Sequence, residues 1–338
     1  MAFKAIETEA SNEIQLRSVE LAITSRCNFR CSYCGAFDLN ERQVLTGDAA
    51  IDIISDLPHL ERVKLSGGEV LLRFDDCLQV VQYCASRGIE TQINTNGSLL
   101  DHEKITILKN AGVSCLHFSL DFTTAEEHAR FYRVRPDVFP KIINSIRESV
   151  ASGTIDTVVE TIVFNETKKH LVEIHDFIAD LGVTKHEIQM EIPGIHEGYT
   201  STTPADELAE LLCDLIDHQR PGVHMYFSCL SAYIKPTSPS FPRIRPYYGR
   251  DGVHFAGCIE GKNQLHVHSN GDIMLCELGA PSVIGNVFQT RLSHLVESRP
   301  ESLLSFVKSK HVDGTHVCFR NCDTPGEKKA ASPLRVLH

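Results

Sequence analysis

The chain has no apolar run approaching the ~18 residues that a membrane-spanning helix requires. It also has no surplus of positive charge: 33 Lys and Arg stand against 44 Asp and Glu, for a net charge of −11. The first absence excludes a transmembrane helix. The second argues against a general affinity for nucleic acid or anionic membranes, both of which need clustered Lys and Arg. Met1-Ala2-Phe3-Lys4 does not open a secretory signal, so a cytoplasmic location is expected. What is present is 338 residues with 42% hydrophobic content. That is enough for a full core and for about two domains, or one large α/β domain with an appendage.

Twelve cysteines need an explanation. In a cytosolic chain of this size they point to metal or redox chemistry before disulfides. Cys27, Cys31 and Cys34 form one clump; Cys258, Cys276, Cys318 and Cys322 form a second. Cys77, Cys84, Cys115, Cys213 and Cys229 stand apart among apolar neighbours, as plain buried thiols do.

From residue 19 to about 217, β-rich runs alternate with amphipathic stretches. Six strands are expected at Val19–Thr24, Arg62–Ser66, Glu90–Thr95, Ser114–Leu120, Thr157–Val163 and His186–Ile192. Helical patterns lie between them at Gly47–Asp56, Asp75–Arg87, Asp101–Asn110, Phe139–Ser152 and Lys168–Leu181. Such alternation implies a parallel sheet with right-handed crossovers. A parallel strand buried on both faces is apolar throughout, yet alternate positions here are polar: Lys64 and Ser66, Gln92 and Asn94, His117, Ser119 and Asp121, Gln189 and Glu191. Residues i and i+2 share a face, so a partly open barrel with a polar lumen accounts for the pattern. After a Pro-rich linker, Lys235–Arg250, a β-hairpin signal appears at Ser269-Asn270-Gly271. The chain therefore divides into an N-terminal segment (1–18), a barrel (19–234), a small cysteine-rich module with its linker (235–325) and a tail (326–338).

Cys27-Asn28-Phe29-Arg30-Cys31-Ser32-Tyr33-Cys34 follows the first strand directly. In a parallel α/β barrel that end of the strands carries the active site. Structural zinc wants four protein ligands, whereas three thiolates with an open fourth position suit a [4Fe–4S] cluster with one free iron. Spacing alone leaves zinc and unrelated thiols open. The second clump, Cys258-x12-Gly271-x4-Cys276 with Cys318-x3-Cys322, offers four thiols near a glycine hairpin; here too zinc stays open.

Cys-x3-Cys-x2-Cys after the first strand resembles the signature of the radical S-adenosylmethionine (radical SAM) superfamily. Ser66-Gly67-Gly68-Glu69 resembles that family's GGE motif, and Asn94-Thr95-Asn96-Gly97 and Ser119-Leu120-Asp121 stand where related enzymes carry similar sequences. The resemblance implies an α/β fold, a partial (β/α)6 barrel of parallel strands. It also implies a [4Fe–4S] cluster on Cys27, Cys31 and Cys34 whose free iron chelates SAM. SAM contacts would come from Tyr33 at the adenine, from Gly67, Gly68 and Glu69 at the amino group, from Asn94 and Ser119, and from Arg133 or Arg135 at the carboxylate. The second clump resembles the SPASM extension in its half-length "twitch" form, with Ile284-Gly285-Asn286-Val287 as its downstream Gly-Asn step. This implies an auxiliary [4Fe–4S] cluster on Cys258, Cys276, Cys318 and Cys322, serving electron transfer or structure.

The expected activity is reductive cleavage of SAM to a 5′-deoxyadenosyl radical that abstracts hydrogen from a small polar metabolite. Sugar, nucleoside or nucleotide-sugar intermediates of natural-product (antibiotic) biosynthesis suit the lumen candidates Lys64, His117, Asp121, Glu160, Gln189 and Glu191. An external electron donor such as flavodoxin or ferredoxin is implied. The reaction type, whether oxidoreductase, lyase or carbon–carbon coupling, stays open. The competing reading is a SPASM-type maturase of a ribosomally made peptide. His266 and His268 share a face of what reads as a half-exposed strand and receive no ligand role.

Overall fold

Side-chain alternation builds the sheet. Leu21, Leu65, Ile93, Leu116, Val159 and Ile188 occupy one face of six successive strands and are fully buried, each contributing on the order of 1.5–3 kcal/mol by leaving water. The computed structural model describes residues 14–31, 33–34, 44–190, 203–230, 234, 238–255, 260–276, 283–304, 311–312 and 315–316. Strands β1 (Ser18–Thr24), β2 (Arg62–Gly67), β3 (Glu90–Thr95), β4 (Cys115–Ser119), β5 (Asp156–Val163) and β6 (Lys185–Met190) are the six expected ones. They pair in parallel in chain order. Helices α1 (Gly47–Ser55), α2 (Phe74–Ser86), α3 (His102–Ala111), α4 (Ala125–Tyr132), α5 (Phe139–Ala151) and α6 (Leu171–Asp180) form the crossovers.

The sheet is larger than the sequence reading expected. Helix α7 (Ala205–Asp217) leads to β7 (His224–Ser228), and α8 (Phe241–Ile244), in the Pro-rich segment, precedes β8 (Val253–Phe255). Both strands extend the parallel array beyond β6. The hairpin strands β9 (Gln264–Val267) and β10 (Asp272–Met274) form as the turn signal implied, and β11 (Val283–Asn286) pairs with β10. Strand β9 runs parallel beside β1, giving the order β11-β10-β9-β1-β2-β3-β4-β5-β6-β7-β8. The hairpin thus continues the sheet on the β1 side, next to the strand that leads into the first cysteine clump. Among the described residues no helix is long and apolar enough to cross a membrane. Cys77, Cys84 and Cys115 are buried thiols, whereas Cys213 and Cys229, expected to be buried too, are only partly so.

Helix α4 was absent from the sequence reading. Its start carries a threonine N-cap: the Thr124 hydroxyl accepts from the Glu127 amide at 3.3 Å and donates to the Glu127 carboxylate at 2.7 Å, at a Thr-x-x-Glu spacing legible in the sequence. Eight residues are too few to show helical periodicity by themselves.

Behind the sheet, His175 of α6 meets His186 of β6, Nδ1 to Nδ1 at 2.9 Å, and His186 Nε2 reaches the Thr161 hydroxyl at 3.0 Å. Burial lowers the pKa of His175 to about 4 and that of His186 well below its usual value. Both are depressed below the unfolded value of about 6.5, so the unfolded chain takes up more protons as pH falls from about 6.5 to 4. Stability is lost across that window, by up to ~1.4 kcal/mol per pH unit for each histidine. His175→Asn should flatten this slope by up to one histidine's share, read from urea unfolding of both proteins at several pH values in that window. Equal slopes would show that His175 titrates normally.

Candidate active site

The loop after β1 is held from three sides without using its thiols. Phe29 is buried and packs edge-on against His128 at 5.9 Å and tilted against Tyr132 at 5.8 Å, both residues of α4. The Arg30 amide donates to the Tyr132 carbonyl at 3.1 Å, while its guanidinium donates to the carbonyls of Cys27 and Phe29 at 2.7 Å each. Asn28 donates to the Ser98 hydroxyl at 2.8 Å and accepts from the Asn96 side chain at 2.9 Å. The loop thereby presents Cys27, Cys31 and Cys34 together. The Phe29 amide points at the Cys27 sulfur, 3.3 Å away. Burial, with the neighbouring thiols adding to it, pushes the Cys27 thiol up to about 11 and that of Cys31 further still. Three thiolates on one such loop are stable only beside strong positive charge. Three soft donors on one loop fit a [4Fe–4S] cluster with one iron left for another ligand.

The paired glycines serve this loop. A Cβ on Gly68 would lie 2.3 Å from the Arg26 carbonyl oxygen and 2.7 Å from that of Ser25; one on Gly67, at φ +143°, would lie 2.2 Å from the Thr24 oxygen. The Gly68 and Glu69 amides donate to the carbonyls of Thr24 and Arg26, both at 2.8 Å. The close approach that the two glycines permit is therefore to the backbone leading into Cys27. Glu69 is turned inward and buried. Its carboxylate accepts from the Leu71 amide at 3.1 Å, the Thr95 hydroxyl at 2.8 Å and the Asn96 amide at 2.8 Å. It pins the loop after β3, whose Asn96 in turn holds Asn28. Asn28 lies in the cysteine loop and Asn96 in Asn94-Thr95-Asn96-Gly97, but no local pattern marks either of them, or Ser98, as partners across this contact.

The other expected SAM contacts scatter more widely. Tyr33 packs on Phe164 at 4.6 Å and on Phe131 at 5.8 Å. Asn94 accepts from Gln92 at 2.7 Å, and Ser119 lies half-buried on the polar face. Arg133 closes α4 in the left-handed conformation, at φ 53°, and is exposed. Arg135 is exposed and paired with Asp137 at 2.8 Å. Asp121, expected to face a substrate, is buried; it accepts from the Tyr132 hydroxyl and from the Ile162 amide at 2.7 Å. Burial pushes its carboxyl up to about 7. Its oxygens brace the end of α4 against β5.

The polar face of the sheet is continuous. Glu20 stands between His266 and Lys64 in register, Lys64 beside Gln92, Asn94 beside His117, Ser119 beside Glu160, and Glu160 beside Glu187. Glu187 was missed from the sequence, although it lies two residues before Gln189 and so shares its face. His117 Nε2 lies 3.0 Å from the Glu187 carboxylate and 4.0 Å from that of Glu160. Burial opposes a charge on His117, but the Glu187 hydrogen bond and the Glu160 charge outweigh it and raise its pKa. Burial likewise disfavours ionised Glu187, but the His117 bond prevails and lowers it, whereas burial dominates at Glu160 and raises it to about 7. His266, expected to be half-exposed, is buried, with its imidazole flanked by Glu260 at 2.6 Å and by Glu20 of the neighbouring β1 at 3.6 Å. Glu191 lies outside the described residues.

In the hairpin, Gly271 takes φ +86°, and a Cβ there would meet Phe288 at 2.4 Å. Asn286 donates to the Asn270 carbonyl at 3.1 Å and to Asp272 at 2.9 Å. The Gly-Asn step thus buttresses the turn that precedes Cys276. Cys258, Cys318 and Cys322 lie outside the described residues.

Residues 21–178 match the Radical SAM superfamily, and residues 258–323 match SPASM, an iron-sulfur cluster-binding domain. Putative protein YfkA of Bacillus subtilis (strain 168) is 24% identical over 326 residues, spanning 90% of this chain and 87% of that protein. AdoMet-dependent heme synthase of Methanosarcina barkeri is 24% identical over 288 residues, 80% of this chain and 79% of the relative. Streptococcus suis SuiB bound to S-adenosylmethionine shares the fold, with a TM-score of 0.68 at 18% identity over 88% of this chain and 69% of its own. The same protein bound to precursor peptide SuiA gives 0.68 at 18% identity over 87% and 67%. With both matches falling on the segments that hold the two cysteine clumps, the chain belongs to the radical SAM superfamily, as an enzyme with a C-terminal SPASM-type module that works with S-adenosylmethionine, a SAM-binding [4Fe–4S] cluster and an auxiliary [4Fe–4S] cluster.

Proposed function

We propose that this enzyme abstracts hydrogen from a small polar metabolite of the sugar or nucleoside class, including nucleotide sugars, bound against the polar face of the sheet as a step of natural-product (antibiotic) biosynthesis. The observation that carries this reading is the unbroken row from Glu20 and Lys64 to Glu160 and Glu187, which offers both donors and acceptors to a hydroxyl-rich ligand. The bound SAM and its cluster supply the 5′-deoxyadenosyl radical.

The chain's own residues hold the parts in place. Cys27, Cys31 and Cys34 hold the first cluster; Cys258, Cys276, Cys318 and Cys322 hold one auxiliary cluster; flavodoxin or ferredoxin supplies electrons. Tyr33, Asn94, Ser119 and the Gly67-Gly68 backbone bind SAM. Glu69 contributes through the Asn96 loop that it pins. Arg133 suits the SAM carboxylate better than Arg135, because Arg135 is occupied by Asp137 and Arg133 makes no ion pair among the described residues. Lys64, His117, Glu160 and Gln189 face the substrate.

A second reading, a peptide maturase, is favoured by the likeness to SuiB, whose structure holds a precursor peptide. The two separate in one assay. Reconstituted enzyme with reduced flavodoxin and SAM should form 5′-deoxyadenosine faster with a low-molecular-mass metabolite fraction. Lys64→Met and Glu160→Gln should each reduce that stimulation about tenfold, the loss of one charged hydrogen bond. Stimulation by the peptide fraction alone would transfer the assignment to the maturase.

A further inference from the structure

His117, Glu160 and Glu187 come from three adjacent strands, β4, β5 and β6, and no part of the cysteine sites uses them. Their ligand atoms lie within 4.8 Å of one another. Glu160 and Glu187 are direct register partners, and like charges placed opposite each other on neighbouring strands are destabilising. One imidazole does not resolve this. Its Nε2 bonds Glu187 at 3.0 Å and leaves the Glu160 carboxylate at 4.0 Å, beyond hydrogen-bond reach. The Glu160 carboxylate has no hydrogen-bond donor among the described residues.

We propose that His117, Glu160 and Glu187 form a binding site for one first-row divalent cation on the polar face of the sheet. Metal–ligand bonds of 2.0–2.2 Å in tetrahedral geometry separate ligand atoms by about 3.3–3.6 Å. The distances of 3.0 and 4.0 Å bracket that value, so small side-chain rotations seat an ion. Binding exchanges the Nε2 proton for the metal and places a cation between the two carboxylates. One imidazole with two carboxylates suits Mn2+, Fe2+ or Zn2+, in contrast to the all-oxygen shells of Mg2+ and Ca2+. The His117 side chain is 7% exposed, against 17% for Glu160 and 27% for Glu187. The shell is therefore closed on the imidazole side and more open at the carboxylates, where water or an oxygen of the substrate completes it. All three residues sit within β-strands, which hold ligands more firmly than loops do.

The test is a titration of the reconstituted, cluster-loaded protein with Mn2+, following loss of the free-ion electron paramagnetic resonance signal with SAM and substrate both left out. Mn2+ favours oxygen and imidazole over thiolate, so the cysteine sites do not compete for it. One saturable Mn2+ per chain is expected. The isosteric double change Glu160→Gln with Glu187→Gln should weaken binding about a hundredfold or more, since loss of even an outer-shell partner costs 10–100-fold. Iron content and circular dichroism check that the variant is folded. Glu160→Gln alone, which leaves the His117–Glu187 bond in place, should still weaken binding about tenfold or more. No saturable binding at millimolar Mn2+, or variants that bind as tightly as the parent, would overturn the site and leave a His–Glu ion pair beside a second carboxyl.

Discussion

Replacing Cys27, Cys31 and Cys34 together by alanine should lower the iron content of the reconstituted protein from about eight to about four per chain and abolish formation of 5′-deoxyadenosine. On the proposed ligation, the three sulfurs are the whole protein share of the first cluster. Burial raises the thiols of Cys27 and Cys31, so without iron they hold their protons at neutral pH. The loop itself should persist in the variant, because Phe29, Arg30 and Asn28 anchor it to α4 and to Asn96 and Ser98 independently of sulfur. Circular dichroism and the unfolding midpoint should therefore change little while the iron is halved. Iron content that is insensitive to the triple change would place the first cluster elsewhere.

Gly68→Val should be almost as damaging to the first cluster, for a backbone reason. Its Cβ would stand 2.3 Å from the Arg26 carbonyl oxygen and 2.6 Å from the carbonyl carbon, where no side-chain rotation gives relief. Either the hydrogen bond from the Glu69 amide to Arg26 breaks, or the chain leading into Cys27 moves. The cost should exceed the ~1–3 kcal/mol of ordinary core overpacking. Iron should fall toward about four per chain, with SAM affinity and cleavage falling together. Gly88→Ala is the control: nothing lies within 4 Å of its Cβ, so only the cost of positive φ, roughly 1–2 kcal/mol, is expected there. If Gly68→Val keeps both its iron and its SAM affinity, the contact with the cysteine loop has been overestimated.

Several side chains show how local signals differ from tertiary ones. The run of β-α units was legible because each apolar stripe repeats within a dozen residues and needs no knowledge of its partner. The polar face was legible by the same route, since alternation along a strand is local. Glu187 escaped although it obeys that alternation, because it lies at the start of a strand whose reading centred on Gln189 and Glu191. Asp121 and Glu69 show a different gap between local and tertiary signals. Both read as acids beside a ligand, yet Tyr132, Ile162, Thr95, Asn96 and Leu71 turn them inward, and apart from Leu71, two residues from Glu69, those donors lie on three other segments of the chain.

By itself, the sequence determined the α/β class, the order of the first six strands, the three-cysteine loop at the end of β1 and the glycine hairpin before Cys276. All of these rest on spacing, on side-chain volume and on the backbone freedom of glycine, which act over a few residues. Only the tertiary structure decided that β9 pairs with β1, that Gly68 faces Arg26 and that α4 grips the cysteine loop. It alone brings His117, Glu160 and Glu187 within reach of one ion. Those contacts join residues tens to hundreds of positions apart, and their geometry follows from strand register and crossover packing, which no local pattern encodes.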